Sequence, residues 1–76
     1  MMTQKEFAER VGCHPTAVGR WVDGSRTPDV RFIDGVARVL GITVDEVLAL
    51  RRAGQLNQTI IDFLRSDDDE LDAVSA

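Results

Sequence analysis

Two short amphipathic segments meet at Gly12-Cys13-His14-Pro15, and this punctuation constrains the fold more than any other part of the chain. Glycine accepts the left-handed backbone that ends a helix. Proline suits the first position of the next helix, because its missing N–H has no helical partner there. Before the turn, Thr3 caps a helix with Phe7, Ala8 and Val11 on one face and Gln4, Lys5, Glu6, Glu9 and Arg10 outside. After it, His14 is the expected N-cap of a helix whose inner positions are Ala17, Val18, Trp21 and Val22. A turn this tight needs a small residue where the helices cross, and Ala8 supplies it. The spacing predicts a helix-turn-helix.

The remaining chain continues in helical units. Asp23-Gly24-Ser25 is a turn, and Pro28-Asp29 is a stop followed by a new N-cap. A third helix over about Val30 to Leu40 has the stripe Ile33, Val36, Ala37 and Leu40 and closes at Gly41. Gly35 inside it costs up to about 1 kcal/mol against alanine unless a neighbour packs closely. Thr43 and Glu46 fit a capping box before a fourth helix with Val44, Val47, Leu48 and Leu50. Arg51 and Arg52 stand at its end, where cations balance the helix dipole. Gly54 interrupts, and Asn57 is the expected cap of a last short helix carrying Ile60, Ile61, Phe63 and Leu64. No strand-like alternation and no repeat occurs. The expected fold is all-α, a compact bundle of four to five short helices.

Charge divides the chain. Residues 1–55 carry eight basic and seven acidic side chains, net +1; residues 56–76 carry one against six, net −5. The overall charge of −4 argues against a phosphate-binding protein only until it is placed. We therefore divide the chain into a domain over residues 1–54, a packing or dimerisation helix over 55–66, and an acidic, disordered tail over 67–76. Seventy-six residues hold one small domain, for which oligomerisation is a common source of added stability. A single cysteine rules out an intramolecular disulfide, and no apolar run approaches the roughly 18 residues of a membrane span.

Catalytic chemistry has little to stand on. His14 is the only histidine and Cys13 the only cysteine; adjacent in sequence, they lack the usual nucleophile–base arrangement. Two ligands do not make a zinc site, and there is no phosphate-cradling glycine loop. No enzyme activity, metal or cofactor is expected. The second helix instead presents Pro15, Thr16, Gly19 and Arg20 outward. Thr16 can bond a base edge or touch a thymine methyl, and Arg20 can bond bidentately to guanine. Gly19 leaves room for a close backbone approach to a groove. Trp21 shares a face with Val18 and belongs to the core. Arg26 lies in the following loop and Arg31 at the start of the next helix, and Glu6 and Arg10 form an i, i+4 surface pair.

The stretch from Thr3 to Gly12, then His14 to Trp21, Gly24 and Pro28, resembles the Xre/Cro and lambda-repressor-like helix-turn-helix family. Ile33, Ala37, Leu40-Gly41-Ile42 and Thr43 to Leu48 extend the likeness over roughly residues 2–50. The resemblance implies a five-helix domain binding double-stranded operator DNA, commonly a cytoplasmic transcriptional repressor of phage or bacterium that acts as a homodimer. It implies that Gln4 contacts phosphate while bracing the second helix, and that His14, Pro15, Thr16, Gly19 and Arg20 face the groove. It also implies that the loop of Ser25, Arg26 and Thr27 meets the DNA backbone. Family members usually carry a helix ahead of the one at Gln4, where only Met1 and Met2 stand here. We expect Leu56, Ile60, Ile61, Phe63 and Leu64 to fill that gap, by folding back or by crossing to a second subunit. Two alternatives remain: an antitoxin that binds its own promoter and covers a toxin with its C-terminal segment, or a protein-interaction module without DNA binding.

Overall fold

A computed structural model of the chain describes the backbone of residues 2–75 and the side chains of residues 2–65. Five helices follow in order: α1 Gln4–Val11, α2 Pro15–Asp23, α3 Val30–Leu40, α4 Val44–Arg52 and α5 Leu56–Ser75. No strand occurs among the described residues. The fold is all-α.

Local chemistry sets most of the boundaries. Thr3 and Glu6 form a reciprocal capping box: the Glu6 N–H donates to Thr3 Oγ1 at 3.1 Å, and the Thr3 N–H donates to Glu6 Oε1 at 3.4 Å. That assignment removes Glu6 from the surface pair expected with Arg10. At Thr43 the box is half made, because the Glu46 carboxylate accepts the Thr43 hydroxyl at 3.3 Å rather than its N–H. Gly12 ends α1 with φ +92°, and the N–H groups of Gly12 and Cys13 both donate to the Ala8 carbonyl.

The core joins all five helices: Phe7 and Ala8, Val18 and Trp21, Ile33, Val36 and Ala37, Val47, then Leu56 and Ile60. Trp21 lies between two rings, 6.5 Å from Phe7 and 6.1 Å from Phe32. Phe32 lies outside the expected α3 stripe, Leu40 is only half-buried, and Val44 remains 40% exposed. Gly35 is where α1 and α3 come together. A Cβ there would stand 2.5 Å from the Val11 carbonyl oxygen, so the close neighbour that offsets its helix cost is the end of α1.

The segment for which the sequence leaves two placements open folds back onto its own domain. Leu56 and Ile60 are fully buried, and Phe63 packs edge-on against Phe7 at 6.1 Å. Burying two such side chains is worth about 1.5–3 kcal/mol each. Ile61 and Leu64 are half-buried at the margin. Asn57 is not a cap: it lies inside α5, and its amide is used elsewhere. The helix also runs to Ser75, past the expected boundary, since no glycine or proline follows Gly54 to stop it. The side chains of the acidic 67–76 segment lie outside the described residues.

Candidate nucleic-acid interface

The turn between α1 and α2 is three residues long, and α2 starts with a local cap. The Thr16 N–H donates to His14 Nδ1 at 3.1 Å, and Pro15 occupies the first helical position. With Nδ1 accepting, the neutral ring carries its proton on Nε2, a donor suited to a phosphate oxygen. Inside, Val18 is fully buried and Trp21 nearly so; outside, Thr16 and Arg20 are exposed one turn apart. The helix therefore separates an anchoring face from a presenting face.

Gly19 differs from its expected part. It is half-buried, and a Cβ there would meet Gln4 Oε1 at 3.6 Å, ordinary contact distance. Gln4, itself exposed, thus lies beside Gly19, so the first residue of α1 stands next to the middle of α2 with room left for a Cβ.

Past Gly24 the chain turns through Ser25, Arg26 and Thr27, all exposed. The Ser25 hydroxyl, and after it the Ser25 N–H that donates to Asp23 Oδ1 at 2.8 Å, holds the Asp23 carboxyl below its ordinary range. Pro28 closes the loop, fully buried, and its carbonyl accepts from Arg51 Nε at 3.0 Å. Arg51 thus anchors the loop in addition to standing at the end of α4. A cavity of about 180 Å³ opens beside α2, lined among others by Arg20, Trp21, Arg26, Thr27, Arg31 and Phe32. Arg31 lies 5.5 Å from the Phe32 ring centroid and pairs with Asp29 at 3.4 Å in the open. Three arginines, from α2, the loop and α3, line this cleft together with Asp29, leaving an excess of positive charge suited to a phosphodiester.

Asn57 is the residue that sequence reasoning misassigned. Its Nδ2 donates to the Trp21 carbonyl at 2.9 Å and the Arg26 carbonyl at 2.7 Å, while Oδ1 accepts from the Thr27 hydroxyl at 3.0 Å. Its fitness as a cap hid this longer-range use. Cys13 is half-buried, and burial pushes its thiol pKa up, away from thiolate chemistry. Among the described residues there is no group of three metal-ligating side chains and no helix long and apolar enough to cross a membrane.

A short turn, a buried inner face and an exposed polar outer face on the second helix define a helix-turn-helix domain. A family model described as helix-turn-helix matches residues 1–47. The chain belongs to that family, the Cro/C1-type helix-turn-helix proteins, and is a DNA-binding regulator of that class. No curated protein and no solved structure matches it.

Proposed function

We propose that this protein is a transcriptional repressor of the Cro type, from a phage or bacterium, that acts in the cytoplasm as a homodimer on a palindromic operator. In this reading α2 enters the major groove. Thr16 and Arg20 read base edges, while Gln4, His14, Ser25, Arg26 and Thr27 position the domain on the phosphates. Pro15 and Gly19 add surface without hydrogen-bonding side chains. The observation that carries the reading is the exposure of Thr16 and Arg20 one turn apart above a helix face buried through Val18 and Trp21. The net charge of residues 1–55 is compatible with it, since the excess acid is confined to residues 56–76. Half-buried Ile61 and Leu64 at the margin of α5 support a second subunit there.

Selection of bound sequences from random duplex DNA tests this. The expected product is an inverted repeat with half-sites one helical turn apart, about 10 base pairs centre to centre. Arg20→Ala is expected to relax one position of each half-site, at a cost of about 1–3 kcal/mol per bidentate contact. No enrichment at low salt would overturn the proposal. An enriched single half-site would overturn the dimer.

A further inference from the structure

We infer that Asn57 is a positioning residue for DNA binding: from α5 it fixes the end of α2 and the loop whose Arg26 and Thr27 meet the DNA backbone. The inference rests on the function proposed above and extends the binding machinery to a helix outside the helix-turn-helix unit.

The three bonds leave little freedom in how this side chain works. Both carbonyl partners, on Trp21 and Arg26, require donors, so the amide nitrogen must face them. The amide oxygen is then directed to the Thr27 hydroxyl. One planar group spans the last turn of α2 and two consecutive loop residues, all 30 to 36 positions away in sequence. The Trp21 carbonyl depends on it. The Ser25 N–H, four residues on, would have continued the helical ladder to Trp21 but is turned to Asp23. Asn57 is itself held, because its neighbour Leu56 is fully buried in the core, as is Ile60 one turn on.

The loop's other restraints are short-range or lie at its end. They are the Ser25 N–H on Asp23, the Arg26 N–H and the Ser25 hydroxyl on the Arg20 carbonyl at 3.2 and 3.5 Å, and Arg51 on the Pro28 carbonyl. Ser25, Arg26 and Thr27 themselves are exposed. A loop that is ordered before binding does not have to be ordered by the DNA, so its contacts add to affinity undiminished. The Arg26 and Trp21 carbonyls are also kept facing the protein, away from phosphate oxygens that they would repel.

The test measures affinity for a random-sequence duplex of about two helical turns across a salt series, because binding to phosphates is independent of sequence. Asn57→Ala removes the amide, adds no charge and favours helix, and fluorescence of the sole tryptophan reports that the fold is kept. Affinity should fall about tenfold, and the slope of log K against log salt should flatten by about 0.9 for each phosphate that is no longer neutralised. In the Arg26→Ala background the same change should cost less than about threefold, since its chief beneficiary is already gone. In the free protein, amide exchange at Arg26 should quicken while that at Val36 stays as it was. Asn57→Ser keeps one donor and should fall between wild type and alanine, which serves if the alanine variant does not fold. Wild-type binding together with an Asn57 variant of equal affinity and slope overturns the inference alone, as does full additivity with Arg26→Ala. A wild-type chain that binds no duplex at low salt overturns the DNA-binding reading and this inference with it.

Discussion

The two ends of α2 are secured by different kinds of interaction. Its N-terminus is held by its immediate neighbours, with His14 Nδ1 accepting from the Thr16 N–H and Pro15 preset for the first turn. Its C-terminus is held from afar, by the Asn57 amide on Trp21 and Arg26 and by the Arg51 guanidinium on Pro28. The first end forms wherever those few residues become helical. The long-range bonds at the second end exist only when α4 and α5 are docked, leaving only the local turn of Asp23 to Arg26 without them. A helix that must enter a groove in a fixed orientation needs both, so loss of either end should affect binding, while only the distal end should follow the global fold.

The largest effect should come from undocking α5. Ile60 is fully buried, and Ile60→Ala should cost about 2–5 kcal/mol through lost transfer energy and the cavity left behind. Small domains hold only about 0.05–0.15 kcal/mol per residue, so much of the stability would go. Thermal or urea denaturation measures this directly. Amide exchange should rise at Arg26 before it rises at Thr16. Equal exchange at both sites would erase the distinction between the ends.

The same division separates what the sequence makes legible from what it hides. Thr3, His14, Asp29 and Thr43 all cap helices at the expected places, because capping is settled within a few residues. The exposure of Thr16 and Arg20 against the burial of Val18 and Trp21 follows from helical period alone. Asn57 is misread from sequence because its partners lie 30 or more residues away, and asparagine at a helix start satisfies a local rule as well. Gly35 can be flagged as costly from its position, but its reason, the Val11 carbonyl against it, is a tertiary fact. Phe32 escapes the stripe because it is half-buried against the side of Trp21 rather than on the helix's main apolar face. Gly19 looks like an opening to the groove; only the fold shows Gln4 beside it.

A smaller effect is expected at the local end. His14→Ala removes the side-chain acceptor for the Thr16 N–H and should cost about 1 kcal/mol, within the usual range for a lost cap. His14→Asn restores an acceptor of suitable reach and should recover most of that stability. If asparagine also restores DNA affinity, the imidazole serves only as a cap; stability without affinity would identify Nε2–H as a DNA contact. Denaturation and salt-dependent binding of the same two variants resolve these outcomes.

The smallest effect belongs to the carboxylate that helps turn the chain at the distal end. The Ser25 hydroxyl and N–H lower the Asp23 pKa in the folded protein, with a minor contribution from the charge of Arg20. A carboxyl depressed on folding adds stability that is fully present above its unfolded pKa, about 3.9, and is lost as pH falls through the folded value. Asp23→Asn keeps the acceptor for the Ser25 N–H but cannot titrate. The difference in melting temperature between wild type and this variant should be constant above about pH 5 and move against wild type below about pH 4. The change should be slight, since Asp23 is fully exposed and water screens it. A large acid-dependent difference would mean that the turn itself, rather than Asn57 and Arg51, is the main restraint on the loop, and would reverse the contrast between the two ends of α2.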